Sequence, residues 1–363
     1  MDRSHLPASE RPLERPLILI TCGDPAGIGP EVVAAAWADP SAHRLGRLRV
    51  VADPATVAAA VAERCPAEIK GVESIAVDDP RDSHPGRLLV IPATDPEAPP
   101  IRRGEITAAG GRAAVLAVEA ALRLVREGRG QAMVTGPLHK EALHAAGRDV
   151  PGHTELLARA FGLPDDAASM MLWLPPRDDA THGLGVVHAT LHESLRTAVM
   201  SLSIDRIVQA GRRIDGLLAA ILRRRPRIAV AAINPHAGEG GLFGDEEPRF
   251  IAPAVSALRG DGIDAVGPLP ADTLFLRASR GHFDGVVAMY HDQGHIPIKL
   301  LGMHRAVNIT LGLPLVRTSV AHGTAFDIVG RGVADPSSML AAIDTAARLV
   351  SAGWRQQATR ETE

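Results

Sequence analysis

Met289-Tyr290-His291-Asp292-Gln293-Gly294 sets an imidazole beside a carboxylate where an apolar run ends. Residues 284–289, small and β-branched with no charge after Asp284, read as a buried strand. In α/β folds such strands deliver polar residues to a crevice beyond their carboxyl ends, where a His-Asp pair can bind a divalent metal or move a proton. Two more histidines follow comparable runs: His192, after Gly185-Val186-Val187-His188-Ala189-Thr190, and His236, within Ile233-Asn234-Pro235-His236-Ala237-Gly238. Three neutral imidazoles around one ion leave room for substrate and water, a pattern suited to Zn, Co, Ni or Mn. Spacing this long does not by itself establish convergence. Each histidine taken singly is more often a local structural group, and His188 competes with His192 for the same role.

Other run ends carry polar clusters. Ile20-Thr21 leads into Cys22-Gly23-Asp24-Pro25-Ala26-Gly27-Ile28-Gly29-Pro30-Glu31, where glycines permit a tight turn with close ligand approach and Pro30 suits a first helical turn. This is not the GxGxxG spacing of a Rossmann turn. Val134-Thr135-Gly136-Pro137-Leu138-His139-Lys140 is a second such exit, and Gly152-His153-Thr154-Glu155 opens an apolar helix that Thr154 could cap, although a buried or capping role alone would account for that residue. His153 and Thr154 can both donate hydrogen bonds to an anionic ligand. The glycine-rich stretch 238–244 reads equally as a loop closing over a small molecule or as a surface turn. Lys299, Asn308 and Arg317 end later runs. A lysine point charge and an arginine fork suit phosphate or carboxylate, although any one of them alone is more often solvated. Between His322 and Pro336, Asp327 lies near a glycine-rich turn, where an acid can hold a ribose diol and repel a 2′-phosphate, or equally cap a helix.

The elements that must position these residues are legible as alternation. Strands are predicted at 16–21, 48–51, 88–91, 132–135, 169–174, 185–188, 228–233 and 285–290, with long Ala/Leu/Arg helices at 107–126 and 204–223. Such alternation predicts an α/β architecture with a largely parallel or mixed sheet. The polar, Pro-rich segment 77–103 is the expected irregular connection, and the first fifteen residues the expected disordered leader. The chain is expected to enter a second domain near residues 131–136.

The 363 residues, 46% hydrophobic and 22% charged, suit a two-domain soluble protein. A net charge of −3 and only 3% aromatics provide neither a basic field nor a stacking surface for nucleic acid. No apolar segment approaches the roughly 20 residues of a membrane span. Cys22 and Cys65 are far apart and lack metal-type spacing, which fits a reduced cytoplasmic protein.

These motifs together resemble the 4-hydroxythreonine-4-phosphate dehydrogenase family. The segments that carry the resemblance are 23–31, Thr135-Gly136-Pro137 with Lys140, 152–155, 234–241, Gly267-Pro268-Leu269-Pro270-Ala271-Asp272-Thr273, 290–294, 307–314 and 322–325, in order from about residue 17 to 350. The resemblance implies a cytoplasmic homodimer. Each subunit would have two α/β/α domains of the isocitrate/isopropylmalate dehydrogenase type: 16–133 plus 308–363 on the cofactor side, and 134–307 on the metal and dimer side. The active site would lie in the interdomain cleft, completed by both subunits. The family's metal-ligand histidines fall on His192, His236 and His291, holding Zn, Co, Ni, Mn or Mg. His192 is preferred over His188 because a His-x-x-Leu pattern recurs as His192-Glu193-Ser194-Leu195, with Ser194 where the family usually has proline. Substrate contacts fall on His153, Thr154, Lys299, Asn308 and Arg317. Asp272 and Asp292 match positions near the site, and Lys299 or Asp272 would assist proton movement. Residues 322–336 are similar to the adenosine-binding loop of isopropylmalate dehydrogenases, which implies cofactor contacts at His322, Gly323, Thr324 and Asp327, and NAD rather than NADP. The implied reaction is oxidation of a 4-phosphorylated 3-hydroxy acid followed by loss of CO₂.

One departure bears on the substrate. The biosynthetic members continue the Tyr-His-Asp-Gln-Gly motif with Leu-Pro, whereas this chain has Gly294-His295-Ile296-Pro297-Ile298-Lys299. That variant resembles a second branch, which oxidises D-threonate or D-erythronate 4-phosphate; some relatives oxidise an aromatic cis-dihydrodiol. His295 is therefore either a reader of the amine or hydroxyl at carbon 2, or a packing change. Phosphate acyltransferases share the fold without metal or nicotinamide, and the three histidines and Asp327 argue against them.

Overall fold

Short aliphatic runs form one sheet of twelve strands: β1 Leu17–Thr21, β2 Arg47–Ala52, β3 Val72–Ser74, β4 Leu88–Pro92, β5 Ala132–Thr135, β6 Ser169–Leu174, β7 Leu184–His188, β8 Arg227–Ala231, β9 Asp264–Leu269, β10 Gly285–Ala288, β11 Val307–Leu311 and β12 Val316–Val320. This computed structural model describes residues 15–65, 67–150, 152–164, 167–176 and 182–354; the expected leader, apart from Arg15, lies outside them. The helices are α1 Gly29–Ala38, α2 Pro54–Arg64, α3 Ala108–Arg126, α4 Lys140–Ala145, α5 His153–Ala160, α6 Leu195–Met200, α7 Ile204–Leu222, α8 Ala252–Gly260, α9 Ala271–Ser279, α10 His291–Gly302 and α11 Ser337–Ser351. The α/β architecture is thus the one expected.

Each strand expected from the sequence is present to within about two residues at either end. β3, β9, β11 and β12 were not foreseen. β3 is three residues with a central glutamate, and β9 contains Gly-Pro. β11 and β12 carry Asn308 and Arg317 among their apolar residues. The polar positions that obscure these last two strands are candidate site residues.

The strand order is β3-β4-β2-β1-β5-β12-β11-β6-β7-β10-β8-β9. The strands from β3 to β12 are mutually parallel, as are those from β7 to β9. Between these blocks β11 runs antiparallel to β12 and β6, and β6 antiparallel to β7. Helices cover both blocks, and side chains alternate across a sheet, so the hydrophobic faces are buried beneath them. A large core joins β1, β2, β4 and β5 to α1, α3, α7 and α11. A smaller one joins Val186, Val286, Ala229 and Leu172 to Leu274 and Phe275 of α9 and Ile298 of α10. Capping follows local chemistry: Thr107 accepts from the Gly110 N–H at 3.1 Å, and Ser203 from the Arg206 N–H at 3.3 Å.

The turns after β1 and β5 interlock backbone to backbone. The Gly136 N–H donates to the Thr21 carbonyl at 2.7 Å, and the Asp24 N–H to the Pro137 carbonyl at 2.8 Å. A β-carbon on Gly136 would lie 2.2 Å from the Cys22 carbonyl oxygen, so this crossing requires glycine. Gly136→Ala is expected to lower unfolding free energy by about 1–3 kcal/mol. Denaturant unfolding checks this, and an unchanged midpoint would reject the interlock as a constraint.

Candidate active site

The floor of the site is the antiparallel seam between the two parallel blocks. Asn308 of β11 pairs with Ser319 of β12 and Leu172 of β6, while Thr310 pairs with Met170. Two-residue alternation therefore brings Arg317, Ser319, Asn308, Met170 and Leu172 to one face, where they line a cavity of about 260 Å³. Its walls come from Gly136 to Lys140 after β5, from Gly152 to Glu155 at the start of α5, from His295 and Lys299 of α10, and from His192, His322 and Gly323.

Arg317 is 1% exposed. Its guanidinium donates to the hydroxyl of Thr135 at 2.6 and 3.2 Å and to that of Thr310 at 2.9 Å, and makes no ion pair among the described residues. Burial pushes its pKa down to about 9, opposed by the nearby charge of Glu155. Sequence reasoning allowed that Arg317 could be a solvated surface group; the structure excludes that. His153, at the first position of α5, is held neutral by burial and by Arg317, which lower its pKa well below the usual histidine value. Its Nε2 is buried without a protein partner, as is Asn308 Oδ1. Thr154 is not the cap of α5: the cap position is Gly152, without a side-chain bond, and Thr154 stands at the second helical residue. The first-turn N–H groups of α5 therefore remain available for an anion.

The second block supplies histidines. β10 stops at Ala288, and His291 opens α10 instead of extending the strand. The Asp292 carboxylate lies 2.6 Å from His291 Nδ1; a proton on that nitrogen leaves Nε2 as a free lone pair. The loop carrying His192 is stitched to the end of β10, since Ala189 N–H donates to the Ala288 carbonyl at 2.8 Å and the Thr190 hydroxyl to the Met289 carbonyl at 2.8 Å. Gln293 ties the same strand end to β8, accepting from Met289 N–H at 2.6 Å and donating to the Ala232 carbonyl at 2.7 Å. His192 and His291 consequently approach to 5.9 Å between ring centroids. His188 instead turns inward, 6% exposed, with its ring 4.7 Å from that of His295. His295 stacks on His291 at 3.7 Å and 10°. Burial, then the neighbouring His291, drive the His295 pKa down to about 4. Ser194 caps α6, accepting from the Thr197 N–H at 3.2 Å, which gives this departure from the family pattern a structural role.

His236 does not join this array. It is exposed in the turn Pro235–Gly241, where His236, Ala237 and Glu239 all adopt left-handed φ values of 42 to 57°. The buried carboxylate of Glu247 holds the turn by accepting from the N–H groups of Ile233 and Asn234 at 3.0 and 2.8 Å, so the glycine-rich segment begins as a strained, tethered turn. α9 packs beside this turn, and Asp272, exposed on its first turn, lines neither the cavity nor its neighbour around His188 and Glu193. Asp292 is also exposed. Among the described residues no three His, Cys, Asp or Glu side chains are placed to hold a metal ion.

On the other block, residues 322–330 pack against the turn after β1. The Ile28 N–H donates to the Thr324 carbonyl at 2.9 Å, and the Gly330 N–H to Glu31 Oε1 at 2.7 Å; that carboxylate, 1% exposed, also receives Arg103 at 2.8 Å. Thr324 is buried, His322 Nε2 is enclosed without a partner, and Asp327 is exposed on the short turn Phe326–Ile328. Glu31, Gln293, Glu247 and the hydroxyls of Thr135 and Thr310 were not singled out from sequence. Their roles depend on partners far along the chain. Cys22 and Cys65 are free and buried, and burial raises the Cys22 pKa to about 12, so its thiol is inert.

The family model described as pyridoxal phosphate biosynthetic protein PdxA matches residues 45–346. A 4-hydroxythreonine-4-phosphate dehydrogenase of Geobacter metallireducens is 45% identical, over 93% of this chain and 96% of its own length. A D-threonate 4-phosphate dehydrogenase of Pectobacterium atrosepticum is 43% identical, over 92% of this chain and 99% of its own. The crystal structure of 4-hydroxythreonine-4-phosphate dehydrogenase from Klebsiella pneumoniae superposes with a TM-score of 0.77 at 42% identity, covering 92% and 98% of the two chains. With its cleft, its histidine array and these matches across nearly its whole length, the chain belongs to the PdxA family.

Proposed function

We propose that this protein is an NAD- and divalent-metal-dependent dehydrogenase that oxidises the C3 hydroxyl of a 4-phosphorylated 3-hydroxy acid, whose keto product then loses CO₂. The observation that carries this reading is the cavity itself. It joins a buried guanidinium that makes no ion pair among the described residues to two lysines, Lys140 and Lys299, and opens beside paired imidazoles. A dianionic phosphate supplies the charge that Arg317 lacks, and a bidentate fork suits it. His153, Thr154 and Asn308 complete the polar wall.

The donor set fits a divalent ion if it is shared. His192 and His291 stand together with an Nε2 free on His291, and both would ligate from one subunit. The third imidazole would be His236 of a second copy, since the left-handed turn leaves it exposed. Exposed Leu242, Phe243 and Leu276 lie on or beside the same turn and helix, an apolar surface that supports a homodimer. For the nucleotide, Asp327 would hold the ribose, with His322, Gly323 and Thr324 against the adenosine side. When bound, the metal would polarise the secondary hydroxyl and the nicotinamide would accept the hydride. Of Lys299, Asp272 and Asp292, only Lys299 lines the cavity, which supports Lys299 as the group that would receive or relay the hydroxyl proton. Asp292 acts by orienting His291. No helix among the described residues is long and apolar enough to cross a membrane, and two buried free thiols suit a reducing compartment, the cytoplasm.

The direct test is NADH formation with 4-hydroxythreonine 4-phosphate, D-threonate 4-phosphate and D-erythronate 4-phosphate. Turnover of at least one, abolished by chelation and restored by metal, is expected; activity in metal-free protein would reject the reading. Sharing of the site makes a sharper prediction. His192→Ala and His236→Ala proteins should each be inactive, yet randomly mixed subunits should regain about a quarter of wild-type activity, because half the dimers are mixed and each mixed dimer has one intact site. No recovery would exclude a metal site built from two copies. Replacing Arg317 probes the anion. Arg317→Met should unfold at or above the wild-type temperature without ligand, because a buried charge is removed, and should lose the stabilisation that inorganic phosphate confers on the wild type. Undiminished phosphate stabilisation in the variant would place the phosphate elsewhere.

A further inference from the structure

α10 presents His291, His295 and Lys299 at intervals of four residues, along one stripe of the helix. His295 is 6% exposed, yet its ring lines the substrate cavity. Its Nδ1 lies 3.2 Å from the His291 carbonyl oxygen and 3.2 Å from His188 Nε2. A carbonyl only accepts, so His295 Nδ1 carries the proton. His188 Nε2 then faces that proton as an acceptor, and the His188 proton sits on Nδ1, the nitrogen that is enclosed without a partner. Two buried histidines thus fix each other's tautomer, and His295 is left with an unprotonated Nε2. That atom has no hydrogen-bond partner among the described residues and is not enclosed, so it is the edge of the ring that meets the cavity.

We infer that His295 Nε2 accepts a hydrogen bond from a hydroxyl on carbon 2 of the substrate, and so selects a 2,3-dihydroxy acid 4-phosphate over its 2-amino counterpart. This rests on the function proposed above and names the substrate class within it. A hydroxyl gives its one proton to Nε2 and keeps lone pairs for a donor such as Lys299, which lines the same cavity. An ammonium brings two further N–H groups and a full charge into a cavity already lined by Lys140, Lys299 and Arg317. The one carboxylate on that wall, Glu155, already acts on Arg317 and His192. Asn308 Oδ1 offers a single further acceptor. An apolar residue at position 295 would remove the acceptor and leave the hydroxyl proton unsatisfied, a loss that polar sites register strongly.

The test compares kcat/KM for D-threonate 4-phosphate and 4-hydroxythreonine 4-phosphate in wild type, His295→Leu and His295→Gln, with metal content measured on each protein. The wild type should favour the 2-hydroxy acid. His295→Leu should lose about tenfold or more on it with little change on the amino acid, at unchanged metal content. His295→Gln, whose amide oxygen can accept, should keep most of the preference. Should the leucine variant not fold, His295→Asn serves, with a partial loss confined to the 2-hydroxy acid. An equal fall on both substrates, loss of metal, or a wild-type preference for the amino acid would each overturn the inference. A wild type that oxidises neither substrate would instead fail the proposed function, and the inference with it.

Discussion

The guanidinium of Arg317 is taken out of water and given only two hydroxyls to bond, and much of the architecture follows from accommodating it. Burying an unpaired charge is costly, and bonds to neutral hydroxyls recover part of that cost. Thr135 and Thr310 stand on the strands flanking β12, so these contacts are compatible with only one register of β5, β12 and β11, the one the backbone ladder sets. A slip of one residue would turn Arg317 to the opposite face and leave both threonines without their donor. The charge that remains unmet is a standing preference for an anion in the cleft, which links the energetics of the empty fold to the chemistry proposed for it.

Around that floor the structure gathers groups from distant segments by tying strand ends together. Thr190 and Gln293 draw the ends of β7, β8 and β10 into one edge, which is why His192 and His291 meet. On the other block Glu31 is the counterpart. One buried carboxylate binds a loop N–H and an arginine, and so couples the turn after β1 to the segment carrying Thr324 and Asp327. In both places a side chain remote from the reacting atoms sets where reacting groups can stand, the arrangement expected where geometry must be held tightly.

The contrast between His188, His192, His236 and His291 is instructive. All four follow apolar runs, and the residues alone do not rank them. His188 ends its strand pointing inward and spends a nitrogen on His295; His192 is exposed and His291 half-buried, their rings 5.9 Å apart; His236 is turned to the surface by a strained turn. A turn with successive left-handed non-glycine residues is maintained against its own preference by Glu247, and such strain is commonly kept where a side chain must be aimed.

The sequence by itself determined the alternation of strand and helix, hence the α/β class, and it marked the carboxyl-end clusters that hold His192, His236, His291 and His322, whereas Asn308 and Arg317 stand near the starts of β11 and β12. Those features are local: period-two and period-3.6 patterns, glycines and prolines act over a few residues, so they survive reading one position at a time. It admitted Thr154 as a cap, and it passed over β11 and β12 because the polar residues that make those strands the floor of a site also break their hydrophobic pattern. Only the tertiary structure decided that Arg317 is buried, that His188 locks the tautomer of His295, and that His236 stands apart from the other histidines. Burial, tautomer and convergence depend on partners tens to hundreds of residues away, such as His188 and His295 or Thr135 and Arg317, and no local pattern encodes which of them will meet.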